Sequence, residues 1–210
     1  QYLLFHTLSA YYYAIGDMEN SFEQLRSNLS LFEKEKGLIN IEANKQVSVF
    51  TNAIYVADRL GFHKESIKYL AQLKKFANSI EPNEDLTIKL FSSISSIEFS
   101  LNIRKGDFEG AKKIAEKVEL QLNQFGSKIT PLRKAFLEFK MAVTAFGSQD
   151  YSRALQWVNQ ILNNAELDKT EDIVGFTQLL DLLIHIELNH DKLLPYSLKS
   201  TMRFFKTRNR

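Results

Sequence analysis

The stretch KGDFEGAKKIAEKV, from Lys105 to Val118, sets Gly106 and Gly110 just ahead of a helical pattern, an arrangement that could cradle a phosphate. A phosphate loop also needs a closing Gly-Lys-Ser/Thr and a strand before it, and this stretch has neither. His185 and His190 could ligate a metal, but a spacing of five puts them on different helix faces, whereas spacing four would bring them together. His6 and His63 lie far off in sequence. Glu81, Glu84 and Asp85, and again Glu166, Asp168, Glu171 and Asp172, gather at helix starts, where negative charge complements the helix dipole. Acid/base catalysis is not needed to explain them. There is no Gly-x-Ser-x-Gly elbow, and SSISSIEFS, residues 92 to 100, reads as a small-residue helix face. The expectation is a protein that is not an enzyme and holds no cofactor and no metal.

The elements around these residues are helices. Eight Gly and three Pro interrupt 210 residues and fall between stretches of helical period. After Lys105, the residues Phe108, Ala111, Ala115, Val118 and Leu122 recur at spacings of three and four, one stripe of an amphipathic helix. Gly106 suits the left-handed turn that ends the preceding helix, and Asp107 can cap the next one. Gly-Asp here is a stop and a start. The same punctuation predicts helix pairs at 2–15 with 18–36, 40–60 with 63–79, 84–104 with 108–125, 131–147 with 151–164, and 171–188 with 192–206.

Composition is that of an ordinary packed protein, 44% hydrophobic and 25% charged. No run reaches the roughly eighteen apolar residues of a membrane span. The chain opens at Gln1 with no secretory leader pattern and no initiator Met, so it reads as a piece of a longer chain, with a lean to the cytoplasm. With no cysteine, disulfides and thiolate metal sites are excluded. The net charge of +2 is uneven: residues 199–210 carry five basic groups and no acid, leaving the rest at −3. Lys199, Arg203, Lys206 and Arg208 are therefore candidates for a phosphate contact, although a solvated helix end explains them more simply and nucleic acid is the less favoured partner.

The corner recurs. Gly16, Gly61, Gly106 and Gln149 stand at equivalent points, 45, 45 and 43 residues apart, a period that signals stacked helical hairpins. A small residue follows each corner at a fixed offset (Ser21, Ser66, Ala111, Ala154), and four residues further on comes Leu25, Leu70, Ala115 or Val158. A small side chain there lets the two helices approach closely.

In this pattern the chain resembles the tetratricopeptide repeat (TPR) superfamily. The residues that carry the resemblance are Phe5, Leu8, Ser9, Tyr12, Gly16, Asp17 and Ser21 in the first repeat, echoed by Met141, Ala142, Ala145, Tyr151 and Ala154 in the fourth. The second keeps Phe50 but has Ala53 and Ala57, and the third fits only with its helix slipped by one residue, as Ile94, Ile97 and Leu101. The closing LLPYSLKSTMRFFKTRNR resembles the rear part of long TPR-like proteins of unknown function from Bacteroidetes. The resemblance implies an all-α superhelix, or solenoid, of about five antiparallel hairpins. It would form a single domain with repeats at about 1–38, 39–80, 81–127, 128–166 and 167–210, its period longer than the family's usual one. The apolar LLDLLIHIELNH is expected to be covered on both sides, with 192–206 capping Leu179, Leu183 and Ile186.

Stacked hairpins line their inner face with the first helix of each pair, and such faces hold extended peptides or partner helices. Projection onto that face selects His6, Ala10 and Tyr13; Thr51, Tyr55 and Asp58; and Ser92, Ser95, Phe99 and Asn102. Tyr13, Tyr55 and Phe99 are expected to keep part of each ring open, with Asp58 and Asn102 holding a bound backbone. In YYY, Tyr12 belongs to the hairpin core and Tyr13 to the groove. The Lys and Asn clamp of chaperone-docking relatives is absent, since His6 and Ala10 stand in its place. The expected function is a scaffold or adaptor binding a protein or peptide, with no membrane partner and at most weak self-association. A peptide-sensing domain of a transcription or signalling regulator and a nucleic-acid contact through the tail are the alternatives.

Overall fold

The structure is a computed structural model and describes residues 1–34 and 43–208, with only the backbone of Arg208. Regular structure among these residues is entirely helical: α1 (Tyr2–Ala14), α2 (Met18–Lys34), α3 (Ala43–Arg59), α4 (His63–Ala77), α5 (Glu84–Lys105), α6 (Phe108–Phe125), α7 (Pro131–Gly147), α8 (Tyr151–Leu162), α9 (Asp172–Glu187) and α10 (Leu194–Arg208), with a 3-10 turn at Gly126–Lys128. The predicted ends at 35–36 and 40–42 lie outside the described residues. None of the described helices is long and apolar enough to cross a membrane.

Five left-handed corners divide the ten helices. Gly16, Gly61 and Gly106 have φ of 83°, 78° and 70°, and two residues with side chains, Gln149 at 62° and Asn189 at 54°, hold the same place. At each corner the following amide donates to the carbonyl five residues back: Asp17 to Tyr12, Phe62 to Ala57, Asp107 to Asn102, Asp150 to Ala145 and His190 to His185. This closes the last turn of the first helix. Asp17, Asp107 and Asp150 then cap the second helix by accepting from the amides of Asn20, Gly110 and Arg153 at 3.1, 2.8 and 3.1 Å.

The helices pack in neighbouring pairs. The chain divides into two compact units, Gln1–Ile97 and Glu98–Arg210. In the first unit, Phe22, Leu25, Leu29 and Phe32 of α2 are buried, as are Val47, Ile54 and Ala57 of α3 and Tyr69 and Leu73 of α4. In the second, Ala135, Ile161, Leu167, Ile173 and Val174 form one cluster with Phe139 and Phe204 against it. Each fully buried Leu, Ile or Phe contributes about 1.5–3 kcal/mol. The small residues after the corners, Ser21, Ser66, Ala111 and Ala154, are all closed to solvent. Gly147 serves the same end: a Cβ there would lie 2.1 Å from the Phe108 ring, so α6 and α7 approach as they do only over a glycine.

The last hairpin departs from expectation. The α10 helix covers one side of α9, where Phe204 packs against the cluster that holds Ile173 and Val174 and its ring would lie 2.8 Å from a Cβ at Gly175. Leu179, Leu183 and Ile186, expected beneath α10, lie on another side and are exposed. A helix with apolar residues all round needs two covering partners, and in the described structure α9 leaves this stripe open.

Candidate partner-binding surface

Counting back ten, six and three residues from a corner selects one side of a first helix. In α1 these are His6, Ala10 and Tyr13, and in α3 they are Thr51, Tyr55 and Asp58. In the first unit this side is laced by polar bonds. Arg59 Nη1 donates to the Tyr13 hydroxyl at 3.2 Å, joining α3 to α1. The Tyr55 hydroxyl and Ser96 Oγ share a bond of 2.9 Å, and Lys89 Nζ donates to the Asn44 carbonyl and Ser48 Oγ at 2.7 and 2.8 Å, joining α5 to α3. Tyr13 remains 46% exposed, as expected, and Tyr12 is half-buried.

The other expected residues of this unit are more enclosed. His6 stacks on Tyr2 at 5.6 Å, with Nδ1 buried and without a hydrogen bond. Thr51 Oγ1 returns to its own helix, donating to the Val47 carbonyl at 2.7 Å. Tyr55 is half-buried, and its hydroxyl pKa is pushed up by that burial, with the Ser96 bond opposing. Asp58 is buried, not open to hold a bound backbone; its Oδ1 lies 3.7 Å from His63 Nδ1 across the corner.

The third first-helix requires a correction of register. The same offsets from Gly106 fall on Ser96, Ser100 and Ile103, whereas the slipped reading chose Ser95 and Phe99. One residue is about 100° of helix rotation. Ser95 and Phe99 are accordingly buried, and the Phe99 ring is fully closed to solvent rather than part-open. Ser96 is the residue that meets Tyr55, and Ser100 Oγ accepts from Lys140 Nζ at 3.1 Å in the second unit. Asn102 is half-buried at the corner, its Nδ2 donating to the Glu98 carbonyl at 2.9 Å, and Ser92 Oγ is tied back to the Ile88 carbonyl.

The strongest surface feature was missed by the sequence reading. The offsets fall on Phe139, Val143 and Phe146 in α7 and on Leu179, Leu183 and Ile186 in α9. Those of α7 are half-buried, while Leu179, Leu183 and Ile186, with Phe176 one turn earlier, stand 43–55% exposed. The side at these offsets is thus polar and interlocked in the first unit and apolar and open on α9. The signal was present: Asn189 is a fifth corner, 40 residues after Gln149, and Asn tolerates a positive φ.

The basic residues Lys199, Arg203 and Lys206 form an exposed stripe on α10 at spacings of four and three. The Arg208 side chain lies outside the described residues. Leu198, Met202 and Phe205, one position before each, are exposed beside them.

The histidine reading is also corrected. His185 and His190 meet, with Nδ1 to Nδ1 at 2.9 Å, because the chain leaves the helix at Asn189 and turns back. His185 Nε2 lies 3.5 Å from Asp181 Oδ1, and Asp181 Oδ2 accepts from Ser197 Oγ at 3.1 Å. This chain of polar groups ties the end of α9 to α10. Ser197 reaches the Asp181 carboxylate and not an imidazole. No group of three His, Asp or Glu that could hold a metal occurs among the described residues. No family model, curated protein or solved structure matches this chain.

Proposed function

We propose that the protein is a non-catalytic scaffold or adaptor, a tetratricopeptide-like solenoid that binds a protein or peptide partner through the first helices of its hairpins. The observation that carries this reading is the open apolar stripe of Leu179, Leu183 and Ile186, at the same offsets before a five-times repeated corner, with Phe176 one turn earlier. Apolar side chains held on a rigid helix bury area on binding at little entropic cost, and they supply the anchors on which partner affinity concentrates. In the first unit, the exposed Tyr13, whose hydroxyl accepts from Arg59, suits hydrogen bonding to a partner.

The test is capture of partners from the source cell by the parent and by Leu183→Asp and Phe176→Asp, both at exposed positions and each first checked for an unchanged thermal melt. Loss of a partner held by the parent supports the reading. A second reading, contact with an acidic or phosphate-bearing partner through Lys199, Arg203 and Lys206, is favoured by their alignment on one exposed stripe. Charge reversal there would abolish binding and salt would weaken it steeply, with Leu183→Asp silent. If all variants keep every partner, both surfaces are excluded.

A further inference from the structure

In the second unit a cleft of about 580 Å³ lies where the end of α6, the start of α7 and the end of α8 converge. Its wall includes Glu138, which is only 2% exposed and is the one charged side chain among the largest fully buried ones of the described residues. Lys134 Nζ, one turn earlier on α7, is 3.8 Å from Glu138 Oε1, too long for a hydrogen bond. A carboxylate can accept about four bonds, so most of its capacity is unused. Asn123 from α6, Gln160 from α8 and Asn163 just beyond it line the same cleft, and each carries an amide oxygen that can accept a hydrogen bond.

Such a carboxylate is costly to keep. Apolar replacement of a buried ion pair is often neutral or stabilising, and burial pushes the Glu138 carboxyl up to about 7, with the Lys134 ammonium opposing. The charged groups lining the cleft are Lys134, Glu138 and, from the connector after α8, Glu166; α6 and α8 contribute only uncharged residues. With both carboxyls ionised their sum is −1, which one cation balances.

We infer that this cleft is a binding site for a primary ammonium group, whose three N–H donors meet the Glu138 carboxylate and the neighbouring amide oxygens, with Glu166 at the rim. Lys134 is the built-in competitor, a primary ammonium already in the wall and ion-paired with the carboxylate at 3.8 Å. The site stands independently of the apolar stripe on α9. A free aliphatic amine and the amino terminus of a peptide share the required chemistry.

The experiment is amide NMR titration of the folded protein with n-butylamine and n-butanol, and with Gly-Gly-Gly and its N-acetyl form. Butylamine is expected to shift the side-chain amide signals of Asn123, Gln160 and Asn163 saturably, while butanol does not. Because only ionised Glu138 binds a cation, the apparent affinity should rise about tenfold from pH 6 to pH 8. Glu138→Gln should abolish the shifts, and Lys134→Met should tighten binding severalfold. A response to Gly-Gly-Gly but not to its acetylated form, with butylamine silent, would place the ammonium on a chain terminus. Equal shifts with butanol, retention of binding in Glu138→Gln, or silence of both amines would overturn the assignment. Should Glu138→Gln fail to fold, the amine–alcohol comparison and Lys134→Met still decide it.

Discussion

The hydroxyl of Ser21, buried where α2 crosses α1, donates to the carbonyl of Ser9 at 2.9 Å. Ser66 repeats the relationship one hairpin later, reaching the Ile54 carbonyl at 3.4 Å. The small side chain lets the two helices come close enough for a side chain of one to bond the backbone of the other. Ala111 and Ala154 hold the same offset without the hydroxyl and are fully buried. Ala111→Leu or Ala154→Leu should therefore overpack the crossing and destabilise by about 1–3 kcal/mol. A thermal melt matching the parent would show that the crossing lies elsewhere.

Gln149 has a φ of 62°, a conformation that a side chain disfavours. Gln149→Gly should stabilise the protein by about 0.5–1 kcal/mol, the released strain exceeding the added flexibility of the unfolded chain. Asn189→Gly should gain less, because Asn tolerates this conformation. Denaturant midpoints measure both, and a lower midpoint for Gln149→Gly would refute the strain argument.

Glu138 makes stability depend on pH. Its ordinary pKa is 4.5 and burial raises it to about 7, so between those values the folded protein keeps a proton that the unfolded chain has released. The stability this contributes is complete below pH 4.5 and is lost as pH rises through 7, by up to about 3 kcal/mol. Glu138→Gln should remove this slope and be the more stable protein at pH 8. Parallel pH profiles of melting temperature for parent and variant would contradict the account.

The two apolar sets of the last hairpin should behave oppositely. Phe204, packed against the cluster that includes Ile173 and Val174, should cost about 2 kcal/mol when changed to Ala, scaled down from a full core loss because the ring is half-buried. Leu183→Ala, at an exposed position, should stay within about 0.5 kcal/mol. Urea denaturation separates them, and a large loss at Leu183 would mean that α10 leans on the opposite side of α9.

Local chemistry made much of this legible without coordinates. The Asp107 cap, the left-handed Gly106 and the stripe through Ala111, Val118 and Leu122 depend on neighbours within a few turns, so spacing alone places them. Thr130 with Pro131 starts α7 for the same reason: the Thr130 hydroxyl accepts from the Arg133 amide, and Pro needs no partner in the first turn. The corner residues also carried the helix pairing.

What the sequence determined by itself was therefore the helices, their corners and the small residues at their crossings, all short-range consequences of residue type. Tertiary structure decided which sides stayed open. Phe99 and Leu183 are both apolar residues on first helices, yet one is sealed and the other exposed, because a rotation of about 100° per residue and the side chosen by α10 are set by neighbouring helices. His185 and His190 met because the turn at Asn189 folded the chain back, which helical spacing could not express. Glu138 became part of a cleft wall only when the ends of three helices converged beside it.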